Sequence, residues 1–216
     1  MRDHIEMPKA APPTQHALTY HHERHGVSDT VAWGFVMCAE FIANVFFAGR
    51  YGHRAVVLET IAAVPGMVGA TLQRLKALRW IRDDRGWIKT LLDEAENERI
   101  HLMVFSHIAC PGVFERVFIM VTQFVFYNVY FFIYLFSSRT AHRIVGYLEE
   151  RAVHSYTQYL AEVEADEQKN VKAPALAIMY WKLPESARLA DVIGCVREDE
   201  MNHRDVNHTF ANKLSA

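Results

Sequence analysis

Glu59 is the only acid between Arg54 and Trp80, a stretch whose apolar residues recur at helical spacing. A carboxylate carried into an apolar interior without a partner costs several kcal/mol, so such a chain must bring it a proton, a cation or a metal. Glu149 poses the same problem, because it sits in Val145-Gly146-Tyr147-Leu148-Glu149 just after the uncharged run Phe118–Phe136. Two further stretches hold a counterpart: Glu98 with His101, and Glu200 with His203, are each spaced Glu-x-x-His. At i,i+3 both side chains leave one helix face, so a carboxylate oxygen and an imidazole nitrogen can reach the same ion. Alone that spacing is a weak signal, since 16 Glu and 12 His in 216 positions give about 0.9 by chance. Its weight comes from the other two acids.

Around these acids the chain reads as one helix after another. The pattern predicts helices over about 29–48, 54–80, 86–109, 113–136, 140–168 and 186–212. Gly49 and Gly52, Asp83-Asp84-Arg85-Gly86, Pro111-Gly112, Ser137-Ser138, and Pro174 with Pro184 supply the breaks. Ser28-Asp29 predicts an N-cap, and Pro65-Gly66 predicts a kink rather than an end, because apolar periodicity resumes at Met67. No alternating run supports a sheet, which makes the chain all-α.

Residues 1–27 are expected to form an extended polar arm. Pro8, Pro12 and Pro13 forbid a long helix there, and His4, His16, His21, His22 and His25 lack metal-ligand spacing. The arm is expected to lie against the domain or a partner subunit, with a metal-binding His tract as the alternative. Residues 28–216 then make one helical-bundle domain.

A formal charge of −2 and the absence of a basic run leave no field to gather nucleic acid. Cys38, Cys110 and Cys195 are too few and too scattered for a disulfide framework or a zinc pair, which points to a reducing compartment. The opening Met1-Arg-Asp-His-Ile-Glu has charges where an apolar signal core would begin, and Asp3 and Glu6 do not suit a transit peptide.

Four helices supplying Glu59, Glu98/His101, Glu149 and Glu200/His203 match the ligand set of a ferritin-like four-helix di-iron carboxylate bundle. Four carboxylates and two imidazoles suit two iron ions with positions left open for oxygen. Glu98/His101 and Glu149 must then meet at one metal pair, although the apolar 113–136 helix lies between them in sequence. A single crossing of a bilayer would separate them, so that helix is expected to lie along one membrane face. The 29–48 helix, with Trp33, Phe35, Met37, Phe41, Phe46 and Phe47 and then Arg50, His53 and Arg54, suits the same pose. These are the two additional membrane-surface helices. His142, Glu149 and Tyr156 are spaced by sevens, so a His and a Tyr can flank the ligand, the Tyr by packing or as a one-electron donor. Asn97 and Asp199, each just before a ligand Glu, are placed to orient imidazoles or carboxylates.

At these residues the sequence resembles the alternative oxidases, membrane-bound di-iron quinol oxidases of mitochondria. Leu58-Glu59-Thr60 with Val64-Pro65-Gly66-Met67-Val68-Gly69, Glu96-Asn97-Glu98-Arg99-Ile100-His101-Leu102, Gly146-Tyr147-Leu148-Glu149-Glu150, and Asp199-Glu200 with His203 carry the resemblance, joined by Tyr180-Trp181 and Val206-Asn207-His208-Thr209-Phe210. It covers about residues 28–212. The resemblance implies iron ligands Glu59, Glu98, His101, Glu149, Glu200 and His203, a redox-active Tyr156, and Trp181 beside the ligands. It implies a ubiquinol pocket at Arg54, Leu58, Leu148, Ala152 and Ser155. It further implies a homodimer on the matrix side of the mitochondrial inner membrane, in one leaflet, reducing oxygen to water without pumping protons. Members usually have a third acid where this chain has Arg151, and a pocket arginine where it has Glu40, so a compensating Glu40–Arg151 pair is expected. A di-iron hydroxylase of a quinone precursor, or a structural subunit of a membrane assembly with an altered quinol pocket, remains the alternative.

Overall fold

The computed structural model describes residues 15–47 and 51–214. Eight helices follow in order: α1 (Gln15–Leu18), α2 (Val27–Phe47), α3 (Tyr51–Trp80), α4 (Trp87–Ala109), α5 (Val113–Phe136), α6 (Ser138–Ala165), α7 (Ala175–Tyr180) and α8 (Leu189–Lys213). Of the sequence expectations, Gly49, Arg50, His4 and the prolines at 8, 12 and 13 lie outside the described residues, as do the side chains of His16, Phe46 and Phe47.

The six expected helices are present with ends moved by a few residues. The helix expected to end near 168 stops at Ala165, and the one expected from 186 starts at Leu189. The short α7 between Pro174 and Pro184 was not foreseen, and the stretch expected to be an extended arm contains the single turn α1. Ser28-Asp29 is not a cap pair. Helix α2 already begins at Val27, after Gly26 in a left-handed conformation (φ 99°), and the Asp29 carboxylate accepts from the His25 backbone N–H and pairs with buried Arg143 at 2.9 Å. Ser137 does cap: its Oγ accepts from the Thr140 backbone N–H, starting α6 after α5.

The bundle is two helix pairs, α3 along α4 and α6 along α8, with α2 against α6 and α5 against α3. Glycine sets the closeness within the first pair, because a Cβ at Gly66 would lie 2.4 Å from the Leu91 carbonyl oxygen. On each bundle helix the expected ligand stands between two apolar clusters. Towards one side are Val56, Ile100, Val104, Phe105, Tyr156, Ile193 and Val196. Towards the other are Val64, Val68, Tyr134, Ala141 and Val145, with Leu91 and Phe210. A polar layer therefore lies between two mainly apolar ones.

Helices α3 and α5 are both long and apolar enough to cross a membrane, but they are used differently. Most of α3 is buried in the bundle, whereas α5 buries only Tyr130 and Tyr134. Its remaining surface exposes Phe114, Val117, Met120, Phe124, Phe132 and Phe136, and α2 exposes Phe41, Ile42 and Val45. Residues 17–26 run over α6 and α8, where the His22 carbonyl accepts from Tyr147 and the Ala17 carbonyl accepts from Arg204.

Candidate metal centre

Six side chains expected from the sequence converge in the polar layer. Glu59, Glu98, His101 and Glu200 are fully buried, and each offers one ligand atom within 4.8 Å of the others. His101 Nδ1 lies 3.2 Å from Glu59, 3.5 Å from Glu98 and 3.4 Å from Glu200. His203 Nδ1 is 2.7 Å from Glu98 Oε1 and 3.5 Å from Glu200 Oε2. Glu149 is also buried, and the charges of Glu200 and Glu98 act on it.

The ionisations of this set are governed by its own members. Burial raises the pKa of Glu59 well above the carboxylate range, with the carboxylates of Glu98 and Glu200 adding to it. Glu149 is raised likewise by burial and by Glu200 and Glu98. Burial also acts on Glu98, but His101 and His203 outweigh it and hold this acid well below the usual range. Burial opposes charge on both imidazoles, yet the acids around them lift His101 and His203 well above the usual histidine value.

Several atoms here have no hydrogen-bond partner at all: both oxygens of Glu98, Oε2 of Glu200 and Nδ1 of His203. Buried and close to opposite charges but not aligned for hydrogen bonds, they are arranged as donors to a cation. Four carboxylates with two imidazoles form a hard, mixed O/N set suited to iron, so the residues fit a dinuclear metal group.

The surrounding side chains hold the donors in place. Asp199 Oδ2 takes the His101 Nε2–H at 3.1 Å, turning Nδ1 towards the acids. The same oxygen accepts from the Trp181 indole at 2.9 Å and from Asn97 at 3.0 Å, and Asn97 also donates to the Tyr180 hydroxyl. Tyr156 donates to Glu59 and stacks on Phe105 at 5.5 Å. His142 differs from expectation, because it meets no ligand. Its Nδ1 bonds Asn207 at 2.9 Å and its Nε2 bonds the Tyr134 hydroxyl at 3.0 Å; burial lowers its pKa to about 4, so the ring is neutral.

Asn207 leads to a residue the sequence reasoning missed. Its Nδ2 donates at 3.0 Å to both oxygens of Glu94, a fully buried acid whose pKa burial raises to about 7. Glu94, Glu98 and His101 fall at i, i+4 and i+7, so one α4 face carries all three. Glu150 was also passed over. It turns away from the ligands and gathers His21, the His22 backbone N–H and His208 Nε2, at 2.5, 2.8 and 3.0 Å.

The side chains expected to bind substrate form a separate group. Arg54 and Leu58 share a face of α3, and Leu148, Arg151, Ala152 and Ser155 share one of α6. Helix α2 faces both: Asn44 accepts from Arg54 at 2.6 Å, and Glu40 pairs with Arg151 at 2.5 Å. The expected Glu40–Arg151 pair is present.

Fold and site together define a helical bundle with a buried carboxylate–histidine cluster compatible with a metal site. The alternative oxidase family matches residues 12–212. The chain is 53% identical over 197 residues to ubiquinol oxidase 1a, mitochondrial, of Oryza sativa subsp. japonica, covering 91% of this chain and 59% of that protein. It is 52% identical over 188 residues to ubiquinol oxidase, mitochondrial, of Batrachochytrium dendrobatidis, covering 87% and 60%. The chain belongs to the alternative oxidase family and spans about three fifths of the length of these relatives.

Proposed function

We propose that this chain is a cyanide-insensitive ubiquinol oxidase, in which two quinols deliver four electrons and oxygen leaves as two waters. Four protons released by the quinols balance the four taken up by water, so no proton need cross a membrane. The observation that carries the reading is the set of unpartnered Glu98, Glu200 and His203 atoms inside a buried six-ligand layer.

Two irons would be held by Glu59, Glu98, His101, Glu149, Glu200 and His203, and would supply oxygen binding and one-electron steps. The protein's own part is positioning. Asp199 fixes the His101 tautomer, and the clusters above and below exclude water. Tyr156, donating to Glu59, can give an electron with its phenolic proton passing to that carboxylate. The quinol ring would lie between α2, α3 and α6, its oxygens near Arg54, Arg151 and Ser155 and its ring against Leu58, Leu148 and Ala152.

The exposed faces of α2 and α5 suit one leaflet of a bilayer, with Arg54, Arg116 and Arg139 near their ends for the phosphates. Because the relatives are named mitochondrial, the membrane is read as the inner mitochondrial membrane, seen from the matrix. A homodimer, alone or within a larger respiratory assembly, completes the reading. Oxygen uptake driven by a short-chain quinol with cyanide present tests it: two quinols consumed per oxygen are expected. Quinol oxidation abolished by cyanide, or oxygen found in an organic product, would overturn it.

A further inference from the structure

Reduction of one oxygen molecule to water takes four electrons. A ferrous pair passing to ferric supplies two and quinol the others. If oxygen arrives without quinol, two oxidising equivalents stay at the centre and must be drawn from side chains. Tyr156 is the nearest phenol, but it is 3% exposed, and it stacks on Phe105, itself fully buried. A radical left there has no contact with water.

The contacts of His101 have a different construction. The Trp181 ring stacks on His101 at 5.7 Å and 23°, and its N–H is fixed on the Asp199 oxygen that also holds His101. Tyr180 meets Trp181 edge to face at 5.1 Å. Tyr180 is 40% exposed, next in sequence to Met179, which is 73% exposed. A ligand imidazole, a part-buried indole and a solvent-facing phenol are thus in unbroken contact, and α7 with the turn after it has no other catalytic duty.

We propose that Trp181 and Tyr180 form an exit that carries oxidising equivalents from the iron centre to solvent when quinol is short. The proposal rests on the iron-and-oxygen reading above. In each transfer the indole gives one electron to the centre and keeps its proton, the cation being stabilised by the Asp199 carboxylate that already accepts its N–H. Tyr180 then gives one electron to the indole and loses its phenolic proton to water. The neutral phenoxyl radical takes a hydrogen atom from a water-soluble one-electron reductant, a thiol or ascorbate. Asn97 donates to the Tyr180 oxygen, which leaves that hydroxyl's own proton free to go outwards.

The test uses ferrous-loaded holoenzyme given oxygen without quinol, with and without ascorbate. Oxidised residues are mapped by peptide mass spectrometry and radicals read by electron paramagnetic resonance, per iron bound. In the native chain, oxidation should fall on Tyr180 and Trp181, and ascorbate should suppress it. In Trp181→Phe, oxidation should move to Tyr156 and the ligand helices, rise several-fold for the same oxygen dose, and no longer respond to ascorbate. Tyr180→Phe keeps the Asp199 contacts of the indole, so oxidation should stop at Trp181 and ascorbate protection weaken. Identical maps and identical ascorbate response in all three proteins would overturn the exit. If those same samples still bind iron and show cyanide-resistant uptake with quinol, the exit alone falls; if they bind no iron, both readings fall.

Discussion

Arg151 on α6 and Glu40 on α2 form an ion pair at 2.5 Å across the face expected to take quinol. Both are partly exposed, so the pair adds at most about 1 kcal/mol to stability. Its consequence is positional, because it holds the guanidinium beside Ala152 and Ser155. Arg151 lies two residues past Glu149, about 200° round the helix, and cannot share that residue's metal. Arg151→Glu should therefore change KM for quinol several-fold with iron content unchanged, and Glu40→Arg added to it should restore much of the loss. An unchanged KM and pH profile in the single variant would place Arg151 outside the pocket.

Metal affinity should rise with pH. Glu59, Glu149, His101 and His203 all have raised pKa values, so they hold protons to higher pH than free side chains do. A cation must displace those protons, and each one displaced strengthens binding about tenfold per pH unit until the group is already deprotonated. Chelator competition at about pH 6 and about pH 8 reads the slope. Affinity that falls or stays flat as pH rises would contradict it.

Tyr156→Phe should keep both irons, since no ligand is lost, while depressing turnover by about tenfold or more. Equal oxygen uptake in the two proteins would reduce Tyr156 to a packing residue against Phe105.

Gly146→Ala should cost stability. A Cβ there would lie 2.5 Å from the His208 ring, and that ring is pinned on both nitrogens by Arg143 and Glu150. The strain is about 1–3 kcal/mol, a fall in Tm of roughly 2–4 °C for each kcal/mol. A melting curve unchanged from the native chain would mean that α8 moves aside freely.

The buried acids and histidines were legible because acids stand out in apolar helices and because Glu-x-x-His fixes a face. Glu94 was not, although its phase with Glu98 and His101 is right. It is set among Asp93 and Glu96, which are exposed, and an acidic run hides which member turns inward. Asp29 looked like a cap because its true partner, Arg143, lies on another helix, and no local pattern encodes such a pairing. His142 fell on the ligand face by spacing, yet Asn207 and Tyr134 claim both its nitrogens. Helix α7 was invisible for a plainer reason: six residues between two prolines carry too few turns to show a period.

Six side chains on four helices are proposed to hold two irons. Iron per chain, measured on the purified protein and on Glu98→Ala and His203→Ala, tests it most directly. About two are expected in the native chain and a marked loss in each variant, with the helical content of all three alike. Full iron occupancy in both variants, or a native chain that takes up none, would contradict it.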